Sequence, residues 1–177
     1  MKKYLYMIAA LFGIDYFCKE NIEAQKPEDF PRDMEKSHGK IRLYRNHNDG
    51  FCFGVKKEKK ELVRMVPVVF TSAAAGILTW LLCRDEGRKA DRIGFALITA
   101  GGLSNLYDRL QRGYVVDYFS IRCKYLEKVV FNLGDFFIFA GSALIAASDL
   151  LGAVRDLTSP AEDHIKALRL PWRKTDE

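Results

Sequence analysis

The chain lacks the cysteine and histidine spacings that zinc sites require. Its four cysteines include no CxxC pair, and none lies at a zinc-ligand spacing from a histidine: Cys18, Cys52, Cys83 and Cys123. Buried or idle thiols are the ordinary state of such isolated cysteines. We therefore expect neither a metal ion nor another cofactor.

The sequence predicts neither a nucleic-acid-binding module nor a cleavable leader. The formal charge is +5, but the basic residues are scattered among acidic ones. We expect membrane headgroups, and not nucleic acid, as their partners. No small-x-small cleavage site follows the first apolar run, and the residues before Cys18 are too large and too polar for a lipidated cysteine. Residues 1–19 therefore predict an uncleaved first helix, with Asp15 and Lys19 on one face.

Long apolar runs alternate with densely charged stretches, unlike the interleaved charges of a soluble domain. Residues 20–61 alone hold ten Lys or Arg and nine Asp or Glu. The run 62–83 has Arg64 as its single charged residue and is long enough for a bilayer core of about 30 Å. The sequence predicts an all-α membrane protein with four transmembrane helices, near residues 1–19, 62–83, 93–110 and 129–151.

A small β-element is expected on the outer side of the membrane. In residues 40–55, apolar residues alternate on both sides of the turn sequence NDG, which is typical of a short strand pair. The segment belongs to a long outer loop, residues 20–61. We assign residues 1–155 to one transmembrane domain and residues 156–177 to a cytoplasmic tail.

The basic residues predict how the chain crosses the membrane. Four spans put both termini on one side, together with the basic turn 84–92. Because cytoplasmic segments are enriched in Lys and Arg, we expect both termini in the cytoplasm. Loops 20–61 and 111–128 then face outward, and a disulfide between Cys52 and Cys123 is possible.

Carboxylates and asparagines interrupt the apolar runs near the predicted outer boundary. Gly101, Asn105 and Asp108 share one face of the third span, because they lie four and three residues apart. Asn132 and Asp135 are three apart in the fourth span, which also places them on one face. A carboxylate in hydrocarbon costs about 2.5 kcal/mol or more, so such residues normally face protein or water.

Asp117 lies in the outer loop that joins these two spans, so we expect it to meet Asp135 near the outer interface. Two carboxylates about 3 Å apart cannot easily both ionise, and they share one proton. The ionised member can remove a proton from water while the protonated member donates to the oxygen of an attacked amide.

Residue chemistry alone leaves three interpretations of these polar residues open. They form a paired-aspartate site, a structural polar cluster, or an ion or solute pathway. In the first case, asparagine side chains would orient the carboxylates, and Arg109 would hold Asp108. In the second, Asp108 and Arg109 would only mark the end of a helix.

Four sequence motifs resemble those of the lipoprotein signal peptidases, also called type II signal peptidases, in order and along nearly the whole chain. They are an Asp and a Lys four apart in the first span, an Asn-x-Gly in the outer loop, GGLSNLYDR followed by GYVVDYF, and FNLGD. The family consists of four-span bacterial enzymes of the aspartic type. They cut the signal peptide from prolipoproteins just before a cysteine modified with diacylglycerol.

The resemblance implies that Asp117 and Asp135 are the catalytic pair. The other matched positions would support the site or bind substrate: Asp15, Lys19, Asn48, Gly50, Asn105, Asp108, Arg109 and Asn132. It also implies a bacterial inner-membrane protein whose partners are diacylglyceryl-modified prolipoproteins and membrane lipids. We expect it to be a monomer.

The chain departs from the family pattern beside two of the motifs. Phe51, Cys52 and Phe53 follow the Asn-x-Gly, where the family usually has Ala and then Phe. Gly134 and Phe136 flank the last aspartate, where the family usually has Ala and a small hydroxyl residue. The first outer loop is also unusually charged. The aspartates are intact, so these changes suggest a divergent member, and they leave its substrate binding and preference open.

Two rival interpretations are weighed against this one. Intramembrane aspartyl proteases of the presenilin or prepilin-peptidase kind need more spans than this chain provides. A non-catalytic membrane protein of the same fold, which binds lipid or lipopeptide, is the main alternative. Cleavage of a lipidated precursor distinguishes it from an enzyme.

Overall fold

The computed structural model describes residues 1–50, 60–84 and 87–158, and this part of the chain is mostly helical. It contains four long helices: α1 (Lys2–Glu23), α2 (Lys60–Cys83), α3 (Lys89–Gln111) and α4 (Leu133–Thr158). Each helix contains most of one predicted span, so the helical character of all four is confirmed. The α4 helix starts four residues later than expected, because Asn132 caps it (below).

Within the described residues, the β-element is a three-stranded antiparallel sheet. The strands are β1 (Arg32–Asp33), β2 (Ile41–Asn48) and β3 (Val115–Ile121), in the order β1-β2-β3. The first strand expected within residues 40–55 is confirmed as β2. Its described partners are β1 and β3, whereas the expected hairpin partner after the NDG turn lies outside the described residues.

The prediction that Asp117 lies in a loop is wrong. Asp117 is the third residue of β3 and stands opposite Asn46 of β2. The segment is rich in the β-branched and aromatic residues that favour strands. Its partner strand lies about 70 residues earlier in the chain, so the pairing leaves no local signal.

The α3 helix is central and packs against α1, α2 and α4. Glycines bring its backbone into direct contact with that of α4. A Cβ added at Gly101 would lie 2.1 Å from the carbonyl oxygen of Gly134, and one added at Gly141 would lie 2.5 Å from that of Gly94. Small residues allow this close approach in membrane helix pairs.

Two of the helices are long and apolar enough to cross a membrane. The stretches are Met65–Cys83 of α2 and Leu133–Leu157 of α4, and 22% and 6% of their most apolar windows are buried inside the protein. Helices this apolar and this exposed are not the core of a soluble domain. Among the described residues, α1 and α3 do not meet the same criterion, so the prediction of four transmembrane helices is not confirmed.

The possible disulfide joins two cysteines in segments that are predicted to face outward. Cys123, just beyond β3, is an exposed free thiol. Cys52 lies outside the described residues.

Candidate active site

Asp117 is buried, with 3% of its surface exposed. Each of its carboxylate oxygens accepts a hydrogen bond from an asparagine side chain. The Asn48 Nδ2 donates to Oδ2 over 3.0 Å, and the Asn132 Nδ2 donates to Oδ1 over 2.7 Å. The carboxylate of β3 is thus held from β2 on one side and from the start of α4 on the other.

Asp135 lies in the first turn of α4 and is 7% exposed. Its Oδ1 accepts a hydrogen bond of 2.8 Å from the Asn105 Nδ2 of α3, and its Oδ2 accepts one of 3.3 Å from the backbone N–H of Asn132. The N-terminus of a helix also favours a negative charge. Asp135 is therefore oriented by two amide donors, as Asp117 is.

Asn132 joins the two aspartates. It precedes α4 as the N-cap residue, and its Oδ1 accepts the backbone N–H of Asp135 over 2.9 Å. With the reciprocal bond to Asp135 this is a capping box. The remaining side-chain amide donates to Asp117. The expectation that Asn132 shares a helical face with Asp135 is therefore replaced by a cap that links both carboxylates.

Burial raises the pKa of Asp117 to about 7, and the neighbouring charge of Asp135 raises it further in the same direction. The hydrogen bonds from Asn48 and Asn132 and the charge of Lys19 oppose this rise. A carboxyl with this pKa carries a proton for a large fraction of the time at neutral pH. Such a perturbation is typical of functional sites.

Lys19 of α1 is fully buried and bridges two acids beneath the pair. Its Nζ lies 2.8 Å from Asp15 and 3.1 Å from Asp108 of α3. It also donates to the Asn105 Oδ1 over 3.0 Å, and thereby orients the amide that reaches Asp135. Asp15 and Lys19 were predicted to share one face of the first helix, and in the structure they form an ion pair.

Asp15 has further partners that sequence analysis missed. The Ser104 hydroxyl donates to its Oδ2 over 2.6 Å, and the Tyr118 hydroxyl donates to its Oδ1 over 2.9 Å. The backbone N–H of Leu133 donates to the same Oδ1 over 3.0 Å. Asp15 thus ties α1 to α3, β3 and α4. Ser104 lies inside GGLSNLYDR, three residues after Gly101 and four before Asp108, which is the one signal that could have identified it.

The prediction that Arg109 holds Asp108 is wrong. The Asp108 Oδ2 is held by Lys19 and by the backbone N–H of Val116 at 3.1 Å, and its Oδ1 lies 3.3 Å from the Arg112 Nε. The Arg109 Nη2 instead donates to the carbonyl of Gly50 over 2.7 Å. Arg109 therefore holds the turn that carries Asn48.

The Asn-x-Gly segment forms a turn that orients the side chain of Asn48. The backbone N–H of Gly50 donates to the Asn48 Oδ1 over 3.0 Å, as in an Asx turn. This bond leaves the Nδ2 of Asn48 free to donate to Asp117. Asn48 and Gly50 are thus joined to the site, as predicted from their motif.

The arrangement can support acid–base chemistry on a bond placed between the carboxylates. Two adjacent carboxyls that share one proton supply a base and an acid together. Within the described ranges of the chain, no group of three or more His, Cys, Asp or Glu side chains could hold a metal ion.

Comparison with known proteins identifies the family. A family model for signal peptidase (SPase) II matches residues 7–151. The chain is 30% identical over 154 residues to the lipoprotein signal peptidase of Mesorhizobium japonicum, covering 86% of this chain and 88% of that protein. It is 34% identical over 119 residues to the lipoprotein signal peptidase of Brucella ovis, covering 67% and 73%.

A solved structure shares the fold. It is described as a bacterial membrane enzyme determined by the in meso method at 2.3 Å resolution, and it superposes with a TM-score of 0.73 at 19% sequence identity. The match covers 90% of this chain and 94% of that chain. The exposed apolar helices α2 and α4 and the family match together make this chain an integral membrane protein. Because the family model spans most of the sequence and the relatives align along most of their length, the chain belongs to the signal peptidase II family, the lipoprotein signal peptidases.

Proposed function

We propose that the chain is an aspartic endopeptidase that removes the signal peptide from diacylglyceryl-modified prolipoproteins, with Asp117 and Asp135 as its catalytic pair. The observation that carries this proposal is the bridge through Asn132. One residue donates its side-chain amide to Asp117 and its backbone amide to Asp135. Two buried carboxylates on different elements are thereby held as a unit.

The proposed reaction needs one proton on the pair. The ionised carboxylate takes a proton from water, and the resulting hydroxide attacks the carbonyl carbon before the lipidated cysteine. The protonated carboxyl donates to the carbonyl oxygen, which gives a tetrahedral diol. When this collapses, the C–N bond breaks, the leaving nitrogen takes the proton that the base had removed from water, and a diol hydroxyl returns its proton to the other carboxylate, so the pair again holds one proton.

We assign the shared proton to Asp117 and the role of the base to Asp135. With a pKa of about 7, Asp117 holds a proton at neutral pH far more often than an ordinary aspartate does. Asp135 lies at the N-terminus of α4, where the helix dipole favours a charged carboxylate. We expect a bell-shaped dependence of kcat on pH. Both limbs would reflect titration of the aspartate pair, and the fall at high pH would follow loss of the proton from Asp117.

We also propose that all four helices cross the bacterial inner membrane, with both termini in the cytoplasm. The polar residues of α1 and α3 are buried against protein: Asp15, Lys19, Ser104 and Asp108 are at most 2% exposed. The outer surfaces of both helices carry exposed large apolar side chains, such as Tyr6, Ile14, Phe17, Leu103 and Leu110. The polar residues that lower the mean hydropathy of α1 and α3 therefore lie on faces that pack against protein and not against lipid.

The lipid of the substrate needs a place near the pair. Between α3 and α4 the backbones touch at Gly101 and Gly134, so acyl chains do not fit there. A cavity of about 610 Å³ lies between α1, the sheet and the start of α4, and its lining includes Phe17, Ile22, Met34, Leu43, Tyr118 and Phe136. We propose that it receives an acyl chain of the diacylglycerol. Phe17 and Phe136 are also exposed on the helices, so the cavity opens toward the bilayer.

Substrates with acyl chains of different length test this location. Filling the cavity by Leu43→Trp is expected to raise KM for long-chain substrates more than for short-chain ones. The matched control is Leu5→Trp, which fills a cavity of about 380 Å³ between the N-terminal half of α1 and its neighbours. Equal effects of the two variants at every chain length would contradict the assignment.

The function itself is tested by cleavage of a lipidated precursor in detergent or liposomes. We expect the wild-type protein to release the signal peptide and the Asp135→Asn protein to bind the precursor without cutting it. If Asp135→Asn cleaved at the wild-type rate, the aspartic mechanism would be wrong. If neither protein cleaved but both bound the precursor, the non-catalytic alternative would replace it.

A further inference from the structure

A second cluster of charged and aromatic side chains lies beside the pair but outside it. Glu23, the last residue of α1, accepts a hydrogen bond of 2.8 Å from the His47 Nε2 of β2. The Nε and Nη2 of Arg45 donate to its two oxygens over 3.3 and 3.2 Å. The ring of Tyr114, just before β3, stacks on that of His47 with centroids 4.0 Å apart. We call Glu23, Arg45, His47 and Tyr114 the Glu23 cluster.

Two residues of the Glu23 cluster lie next to the cross-strand pair of Asn48 and Val115. In the ladder between β2 and β3, His47 stands opposite Val116 and Asn48 stands opposite Val115. Tyr114 immediately precedes Val115. Contacts of the cluster therefore fix both strands at the end of the sheet where Asn48 reaches Asp117.

Alternation along β2 separates the cluster from the catalytic pair. Arg45 and His47 project from one face of the strand and contact Glu23, whereas Asn46 and Asn48 project from the other. Asn48 lies diagonally across from Asp117, because Asp117 is paired with Asn46. One face of β2 thus contacts α1 through Glu23, and the opposite face contacts Asp117 through Asn48.

The ladder between β2 and β3 is irregular next to this end of the sheet. Its register shifts between Leu43 and Asn46, so the last three pairs are separated from the rest of the sheet by an irregularity. A bulge interrupts the ladder and bends the strand. Contacts with α1 therefore add to the three ladder pairs that hold the segment Asn46–Asn48.

We propose that the Glu23 cluster sets the position of Asn48 against Asp117 and so acts as a positioning device for the catalytic pair. The hydrogen bonds and the ring contact described above join these four residues to one another and not to Asp117 or Asp135, so we treat them as positioning residues. The inference rests on the proposed aspartic mechanism.

The consequence appears in the charge state of Asp117. The hydrogen bond from Asn48 holds the pKa of Asp117 down against burial and against the charge of Asp135. A loosened Asn48 would therefore raise the pKa of Asp117 further. The other charged group that acts on Asp117 is Lys19 of α1, and the cluster itself lies near Arg112 and Glu28. These groups are unchanged in the variants below.

The test compares His47→Ala and Glu23→Gln with wild type in the full-length protein, using one lipidated precursor over a range of pH. We expect kcat at neutral pH to fall by roughly tenfold, less than the 10²-fold loss that follows a full ångström of misplacement. KM should stay unchanged, and the alkaline limb of the profile should move to higher pH. The matched control is Asp33→Asn, which removes the exposed ion pair between Asp33 and Arg122 at the other end of the sheet. It should leave the profile unchanged.

Conservative variants separate positioning from loss of fold. His47→Gln keeps a donor for Glu23 and should recover part of kcat and of the shift in the profile. Tyr114→Phe keeps the stacked ring and loses only a contact of 3.5 Å to Glu23, so it should behave as wild type. Amide exchange at residues 46–50 should speed up in His47→Ala while exchange within α3 stays the same.

Two results would overturn the inference. One is a uniform loss of kcat at every pH, in step with thermal stability, which would assign the cluster to stability alone. The other is a folded His47→Ala protein with wild-type kcat and profile. In either case Asp117→Asn and Asp135→Asn would still be inactive, so failure of this inference is distinct from failure of the proposed mechanism.

Discussion

The proposed roles of the Asp117 and Asp135 side chains can be tested by single substitutions. Asp117→Asn and Asp135→Asn should each reduce kcat by on the order of 10⁴-fold or more, because an amide keeps the shape but cannot exchange the required proton. The double variant should lose little more than either single variant, since the two carboxyls act as one unit. Single-turnover cleavage of a lipidated precursor measures all three. Additive losses would mean that the aspartates act independently.

Asn132 has two tasks that different substitutions separate. Asn132→Ala should lose the cap of α4, at a cost of about 1 kcal/mol in the free energy of unfolding, together with the hydrogen bond to Asp117. Asn132→Ser should keep a capping oxygen but not reach Asp117. We therefore expect both to lose activity and the Ala variant alone to lose stability. Thermal unfolding and cleavage rates measured side by side check this, and an active Ser variant would contradict it.

Sequence analysis identified the acids and amides of the site but not all of their partners. A carboxylate within an apolar run is conspicuous, which is how Asp15, Asp108 and Asp135 were found. Arg109 was assigned to its sequence neighbour, yet adjacent residues of a helix point about 100° apart. The arginine four residues on, Arg112, is the one whose side chain lies beside Asp108. Tyr118 carried no signal, because an aromatic residue in a strand is ordinary.

At the scale of elements, the contact between α3 and α4 predicts a sensitive glycine. Gly101→Ala should reduce stability by about 1–3 kcal/mol, since its Cβ would collide with the backbone of Gly134 beside Asp135. Activity should fall as well, because Asn105 lies one turn along α3 from the collision. Gly76→Ala in α2 is the control, as nothing lies within 4 Å of the added Cβ. Equal stabilities of the two variants would show that α3 and α4 separate without cost.

The elements were predictable to different degrees. All four helices followed from apolar runs, whose length is a property of the sequence itself. The β3 strand was missed because its pairing with β2 is non-local. Its sequence around Asp117, with aromatic and small residues, was interpreted as a partly aromatic loop. The start of α4 was placed too early because Val129 and Val130 continue its apolar pattern, whereas the capping box at Asn132 sets the true beginning.

For the whole molecule, two native cysteines test the proposed path through the membrane. Cys83 ends α2 and Cys123 follows β3, and both are exposed. In variants that keep one of them, an impermeant thiol reagent added outside spheroplasts should label Cys123 and spare Cys83. Breaking the membrane should make Cys83 reactive. Labelling of both before lysis, or of Cys83 alone, would contradict the four-span topology.

The cap at Asn132 also determines when during biosynthesis this protein can become active. Of the four described helices, α4 is translated last; its first turn supplies Asp135, and the cap residue before it, Asn132, supplies the amide that holds Asp117. A nascent chain with α1, α2, α3 and the sheet already formed carries Asp117 with its hydrogen bond from Asn48, but it lacks Asp135 and the hydrogen bond from Asn132. Under the proposed mechanism, closing the first turn of α4 also completes the pair of Asp117 and Asp135, so we expect hydrolytic activity to begin only after this turn has formed.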